Sequence, residues 1–366
     1  MDKKAKKPAG LERLRDKIDA VDAELVALLN KRAGYAVEIA AIKREANLPF
    51  HSPGREKAVL ERIGALNRGP FPSAALRIIF KEIISASLSL EEPLKVAYFG
   101  PEGSFTNLAA LRHFGFSARY IPFESIKSVF SAVERNEANY GLVPIENSNE
   151  GVVSSTLDMF MDFDLKISAE VLLEVSHNLL SRSGDRRKVK KIYSHPQAIS
   201  QCKGWLEAHM PHAAIYEASS TSKAAEIASK EESAAAIASE MAARLHDLKF
   251  IARSIEDNKN NFTRFLVISK SYFSKTGNDK TSLLLSVKDR PGALYEILLP
   301  FKRAKINLSN IESRPSKRKA WEYIFFIDME GHIDDKKVQK ATDEVKESCL
   351  YLKHLGSYPV GEKVVR

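Results

Sequence analysis

The chain has 366 residues, 44% hydrophobic and 28% charged, with a formal net charge of +9. That length predicts two or three domains, and no apolar run reaches the roughly 18 residues of a membrane-spanning helix. The basic residues are scattered, not interleaved with aromatics, so no nucleic-acid surface is expected. The start, Met1-Asp2-Lys3-Lys4-Ala5-Lys6-Lys7, is followed by no apolar signal-peptide core. Cys202 and Cys349 have no paired spacing, which speaks against a disulfide framework or a thiolate metal site. The expectation is a cytoplasmic protein without metal or cofactor.

Leu11, Leu14, Ile18, Val21, Leu25 and Leu28 alternate spacings of three and four, the seam of a long helix that continues at Tyr35, Ile39 and Ile42. Arg32 interrupts the seam, and Lys43, eleven residues on, lies about 20° around the helix from it. A second helix is predicted from Ser52-Pro53, a cap and first-turn pair, and carries Arg55 and Glu56. A third is predicted over about 74–90. Leu76, Phe80, Ile83 and Ser87 share one of its faces, with Glu91 a turn beyond. Such polar groups inside an all-helical domain make an anion pocket; the alternative, that Arg32 and Lys43 snorkel to solvent, is the weaker because both sit among apolar neighbours.

Arg15, Arg32, Lys43, Arg55-Glu56, Ser87 and Glu91, at this spacing, resemble the all-helical (AroQ-type) chorismate mutases. The resemblance implies that these residues, with Ser52, hold chorismate. Arg32, Lys43 and Glu91 would be catalytic. It also implies a first helix that crosses into a partner subunit. Arg15 and Arg32 are 17 residues apart, about 25 Å along a helix, so Arg15 should serve the partner's pocket. Ser52 stands where relatives often have Asp, and Glu91 where some have Gln. A Glu can donate a hydrogen bond only when protonated, so mutase activity is expected to fall as pH rises through its ionisation.

After Glu91-Glu92-Pro93 the rhythm changes. Strands are predicted at 94–99, 141–143, 191–194, 213–217 and 234–237, with helices between them: an α/β architecture with a largely parallel sheet. Polar clusters follow the strands, at Ser104-Phe105-Thr106, Glu146-Asn147, Ser194-His195 and Ser220-Thr221. Ligands sit at such places, though each cluster alone also reads as a helix cap. Gly100 and Gly103 lack the third glycine of a dinucleotide fingerprint. Asn261-Phe262-Thr263-Arg264-Phe265-Leu266-Val267-Ile268 reads as a buried strand with a hydroxyl and a guanidinium at its start. Either Thr263 caps a turn and Arg264 reaches solvent, or both face an anion.

Gly100-Pro101-Glu102-Gly103-Ser104-Phe105, Pro144-Ile145-Glu146-Asn147-Ser148, Ser194-His195-Pro196-Gln197 with Gln201-Cys202, and Asn261-Phe262-Thr263-Arg264-Phe265 together resemble prephenate dehydratase. The resemblance implies two lobes like those of a periplasmic binding protein, with prephenate in the cleft. The last strand would return to the first lobe and bring Thr263 opposite Ser104 and Asn147. Thr263 would face the departing hydroxyl, with Ser104, Asn147, Ser194, Gln201, Thr221 and Phe265 around the substrate. Arg264 would help with its charge and Glu146 would support the loop.

Beyond a linker at 276–280, the order strand, helix, strand, strand, helix, strand over 282–357 predicts an α+β ferredoxin-like sandwich. It resembles the ACT regulatory domain, and Gly292-Ala293-Leu294 and Glu312-Ser313-Arg314-Pro315 resemble its phenylalanine-binding form. That implies an L-phenylalanine site using Gly292, Ala293, Leu294, Asn307, Leu308, Glu312 and Ser313. The whole reads as a multidomain enzyme: mutase 1–92, dehydratase 94–271, ACT 280–360. Its expected small-molecule partners are chorismate, prephenate and L-phenylalanine. It is expected to form a dimer or higher homo-oligomer through the mutase and ACT domains. Two alternatives stay open on sequence: a dehydratase whose helices only dimerise, and a non-catalytic amino-acid sensor.

Overall fold

The computed structural model describes residues 9–46, 53–90, 93–271, 274–287, 290–315, 323–361 and 363–364. The chain forms two compact units, residues 1–94 with 115–118, and residues 95–114 with 119–366.

The first unit contains α1 (Ala9–Glu45), α2 (Pro53–Leu66) and α3 (Ser73–Ser89). At 37 residues, α1 is about 55 Å long, far longer than α2 or α3. Its seam is therefore uncovered within one chain. Leu11, Leu14, Ile18, Val21, Leu25 and Leu28 are each more than 40% exposed.

The second unit begins with a two-lobed α/β segment. In chain order its elements are β1 (Lys95–Phe99), α4 (Phe105–Phe114), β2 (Arg119–Phe123), α5 (Ile126–Glu134), β3 (Tyr140–Asn147), β4 (Gly151–Val152), α6 (Ser154–Asp162) and β5 (Lys166–Glu174). The chain then builds the second lobe from β6 (Asn178–Ser181), β7 (Lys191–Ser194), α7 (Pro196–Gln201), α8 (Lys203–His209), β8 (Ala214–Glu217), α9 (Thr221–Lys230), β9 (Ala234–Ala238), α10 (Glu240–Leu245) and β10 (Lys249–Ala252). Finally β11 (Phe262–Ser269) returns to the first lobe and lies between β3 and β5.

Both sheets are mixed, which corrects the expectation of a largely parallel sheet. In the first lobe β1 pairs in parallel with β2 and β3, but β11 is antiparallel to β3 and β5. The second-lobe order is β10-β6-β9-β7-β8, with β6 antiparallel to β9. Crossings between lobes produce the antiparallel pairs, and residue pattern alone does not encode them. The central strand β9 is alanine-rich because both its faces are covered: Ala235 and Ile237 pack with Ala198 and Leu206, while Ala234, Ala236 and Ala238 pack with Ala224 and Ala242.

The C-terminal segment comprises β12 (Asp279–Ser286), α11 (Ala293–Arg303), β13 (Leu308–Pro315), β14 (Tyr323–Glu330), α12 (Lys336–Ser348) and β15 (Tyr351–Pro359). Its antiparallel sheet has the order β13-β14-β12-β15, the expected ferredoxin-like arrangement. Strand alternation divides its apolar residues between two faces. Leu283, Leu285, Phe325, Ile327 and Met329 pack with residues of α11 and α12. Leu284, Phe326, Leu355 and Tyr358 join the core of the first lobe, with Phe160, Leu165 and Ile167. A Cβ at Gly356 would lie 2.1 Å from the Ile167 carbonyl oxygen, so only glycine permits this approach. Past β15, the short β16 (Lys363–Val364) pairs with β5. The two segments thus share one core.

Candidate active site

Because β3 and β11 are antiparallel, the carboxyl end of β3 meets the amino end of β11, and Asn147 lies opposite Thr263. A bulge follows at Arg264/Phe265, a device that re-aims side chains beside active sites. A cavity of about 910 Å³ opens there, bordered by the turn after β1 and residues of the second lobe. Ser104, Asn147, Gln201, Thr221 and Thr263 line it, as expected, together with Asn261 and His177.

The hydrogen bonds fix how the Thr263 hydroxyl is used. Asn147 Oδ1 accepts from the Asn149 backbone N–H at 3.0 Å, so its amide nitrogen points the other way. Asn147 Nδ2 donates to Thr263 Oγ1 at 2.8 Å and to Asn261 Oδ1 at 2.9 Å. Thr263 therefore receives a hydrogen bond from Asn147, and its own proton remains available to donate into the cavity. Asn261 Nδ2 in turn donates to Gln201 Oε1 at 2.8 Å, and Gln201 Nε2 donates to Glu150 at 3.0 Å. With Gln201 Oε1 an acceptor, the His177 nitrogen 2.9 Å from it, Nε2, carries the ring proton. Burial lowers the pKa of His177, so it is neutral near pH 7. Phe105 holds the ring edge-on, with centroids 5.5 Å apart.

Two helix amino ends and Lys223 border the cavity. Ser104 accepts from the Asn107 N–H at 3.2 Å, and Ser220 from the Lys223 N–H at 3.0 Å. They cap α4 and α9, whose amino ends border the cavity and favour anions. The lobes are tied across the cleft: Ser239 Oγ donates to the Gly103 carbonyl at 2.9 Å and Ser222 Oγ to that of Glu102.

Four expected residues stand elsewhere. Arg264 neither reaches solvent nor faces the cleft; it is 8% exposed and paired with Glu170 and Asp328. It follows Thr263 on a strand, so it points to the opposite face. Phe265 is buried and does not line the cavity. Ser194 is fully buried, and its hydroxyl donates to the Ile237 carbonyl at 2.8 Å, tying β7 to β9. Glu146 lies in register between Val152 of β4 and Arg264 of β11, away from the cavity lining. His177 escaped the sequence reading because it follows β5 in no motif; Asn261 lay inside a recognised motif and its polarity beside a buried strand was the available signal.

In the helical unit, Arg32 Nη1 donates to Ser87 Oγ at 2.6 Å, bringing α1 and α3 together at an expected pair. Lys43 and Glu56 are half-buried; Arg55 is exposed, which corrects the expectation that it points into the interior of its own helices, and Arg15, expected to serve a partner's pocket, is exposed in the single chain. Ser52 and Glu91 lie outside the described residues.

In the C-terminal segment Gly292, at φ 81°, begins α11 ahead of a buried Ala293 and an exposed Leu294. Asn307 donates to Glu330 at 2.8 Å, and Leu308 opens the edge strand β13. Half-buried Glu312 and exposed Ser313 alternate along that strand. Arg314 beside them reaches α6, pairing with Asp158 at 3.4 Å and donating to the Ser154 carbonyl. Among the described residues, no helix is long and apolar enough to cross a membrane.

Family models match along the chain in order: chorismate mutase type II at 14–92, prephenate dehydratase at 96–272 and the ACT domain at 281–347. The bifunctional chorismate mutase/prephenate dehydratase of Aquifex aeolicus is 52% identical over 95% of this chain and 98% of its own. The enzyme of that name from Escherichia coli K12 is 33% identical over 96% of each. Among solved structures, the prephenate dehydratase of Arthrobacter aurescens in complex with L-Phe superposes with a TM-score of 0.68 at 34% identity, covering 73% of this chain and 90% of that one. With a relative at 52% identity spanning 95% of the chain and the three family models in order, the chain belongs to the bifunctional chorismate mutase/prephenate dehydratase family.

Proposed function

We propose that the chain rearranges chorismate to prephenate in its helical unit and converts prephenate to phenylpyruvate in the two-lobed cleft, under feedback inhibition by L-phenylalanine bound to the ACT segment. The observation that carries the second step is the Thr263 hydroxyl, which accepts from Asn147 and so keeps its proton for a ligand. In prephenate the electrons of the breaking C–carboxylate bond flow into the ring, carbon dioxide departs, and the ring C–O bond breaks to restore aromaticity. The leaving hydroxide takes up a proton and departs as water. A preorganised donor at that oxygen lowers the barrier, and no nucleophile is needed. A Thr hydroxyl is a poor acid, so Thr263 acts as a positioned donor and the proton is made good by solvent. Ser104 and Thr221, at the amino ends of α4 and α9, hold the carboxylates, while Asn147 and Gln201 fix the site.

For the mutase step, Arg32, Lys43, Arg55, Glu56 and Ser87 hold chorismate, with Ser52 and Glu91 completing the set by resemblance. Arg15 comes from a second chain. The exposed seam of α1 supports this, because so long an apolar stripe calls for a partner. We therefore read the enzyme as a homo-oligomer, dimeric at least, with 1–92, 94–271 and 280–360 as its functional segments. Both cysteines are free thiols, which fits a reducing compartment and a cytoplasmic location.

The test is an assay of the pure protein with chorismate, following prephenate and phenylpyruvate with and without L-phenylalanine. Prephenate that accumulates without phenylpyruvate would remove the dehydratase assignment; binding without turnover would point to a sensor. Chorismate turnover by residues 1–92 alone distinguishes a working mutase from helices that only dimerise.

A further inference from the structure

Thr263 faces the cavity, while the next residue, Arg264, enters the seam between the dehydratase and ACT sheets. Each of its three bonded nitrogens has a separate acceptor. Nε donates to Glu170 on the neighbouring β5 at 2.7 Å. Nη1 donates to Asp328 on β14 at 2.6 Å, and Nη2 to the Tyr358 hydroxyl on β15 at 3.0 Å. The last two acceptors belong to the ACT segment. They are themselves fixed: Ser282 Oγ donates to Asp328 Oδ1 and lies 2.6 Å from the Tyr358 hydroxyl. Glu170 also receives Lys280 Nζ and the Gly361 N–H, each at 2.9 Å. All of Glu170, Asp328, Ser282 and Tyr358 are at most 5% exposed.

Such a cluster has one good arrangement. A guanidinium with its acceptors displaced would be an uncompensated buried charge, so a shift of β14 or β15 is transmitted to β11 rather than absorbed. Asp328 lies opposite Asn310 on β13, the strand that carries Glu312-Ser313-Arg314-Pro315. A single strand-to-strand step separates the cluster from the segment assigned to phenylalanine, and a single peptide bond separates it from Thr263.

We propose that the ACT segment supplies part of the dehydratase site from behind. Asp328 and Tyr358 are positioning residues that hold β11, through Arg264, with the Thr263 hydroxyl aimed at the leaving group. The same cluster is the link by which phenylalanine occupancy is read at Thr263. This rests on the reading of Thr263 as the donor and of the ACT segment as the phenylalanine site.

The experiment uses the full chain. Tyr358→Phe keeps the buried ring and removes one acceptor; Asp328→Asn keeps the shape and removes the charge. Dehydratase kcat and KM, phenylalanine binding by calorimetry, phenylalanine inhibition and mutase turnover are measured on each. The expected result is a kcat lowered about 10- to 100-fold, since small misplacements of a reacting group cost this much. KM for prephenate should stay within about threefold, phenylalanine should still bind, and inhibition should weaken. Retained phenylalanine binding and a wild-type melting curve report that the dehydratase–ACT unit is folded, while mutase turnover, in the other unit, should stay at the wild-type level. Asp328→Glu, which restores the charge, should recover part of the loss. Wild-type kcat and inhibition in both variants overturns the proposal. So does loss of phenylalanine binding with kcat intact, which would confine the cluster to the ACT fold. Wild-type turnover by Thr263→Ala, or absence of phenylalanine binding in the wild type, would instead bring down the underlying reading and the proposal with it.

Discussion

Thr263 is the residue on which the proposed dehydratase step turns. Its bond from Asn147 leaves one proton to offer, and that offer is preorganised by a chain running through Asn261 to Gln201. Thr263→Ala removes the donor without disturbing the register of β11. Dehydratase kcat should fall about 100- to 1000-fold, the usual loss for one preorganised donor. Mutase turnover on the same preparation should stay near normal. Dehydratase turnover at the wild-type rate would exclude Thr263 from the reaction. Gly292 offers a second residue-scale test. Its φ of 81° is a conformation that β-branched residues avoid, while the space around its Cβ position is open. Gly292→Val should therefore keep catalysis but reshape the turn, and phenylalanine inhibition should be lost. Unchanged inhibition in that variant would place the effector elsewhere.

Elements were legible in proportion to how local their causes are. The seam of α1, the β7 strand at Lys191–Ser194 and the order of the C-terminal sandwich all follow from residue periodicity. The strands β2, β5, β6 and β10 went unread, and the sheets' mixed direction with them, because pairing partners distant in sequence decide both. The cavity residues Ser104, Asn147, Gln201 and Thr263 were found through motifs. Arg264 was misread because alternation says that it leaves the Thr263 face but not what covers the other side. For α1 the missing information is a second chain. About 55 Å of helix with an exposed leucine seam holds Arg15 too far from Arg32 for one small substrate. Arg15→Ala and Arg32→Ala should each be nearly inactive as mutases. Co-refolding the two should recover activity, because in a mixed dimer one pocket receives both arginines. Heterodimers of confirmed composition that stay inactive would sink the shared pocket.

At the scale of the molecule, the ACT sheet is a structural face of the dehydratase, and the seam between them carries its own pH sensitivity. His354 on β15 lies in that seam, where Lys166 Nζ donates to its carbonyl at 2.9 Å. Burial, aided by the nearby Lys166 and His332, lowers its pKa to about 4 from an ordinary 6.5. The folded form therefore holds the ring neutral where the unfolded chain would protonate it. Below pH 6.5 the unfolded state binds more protons, so stability falls as pH falls, and the loss saturates below about 4. At about pH 5 the loss is roughly 1–2 kcal/mol, allowing for partial solvent screening. For a unit of this size that is a shift in Tm of roughly 2–5 °C. Melting of the full chain, followed by the fluorescence of Trp205 on α8 of the dehydratase–ACT unit, should show this decline. His354→Gln removes the titrating group and should flatten the profile between pH 6.5 and 4. Dehydratase activity should survive mild acid better in that variant than in the wild type, whereas mutase activity, housed in the other unit, should decline alike in both. Parallel melting profiles for the two proteins would take His354 out of the acid response.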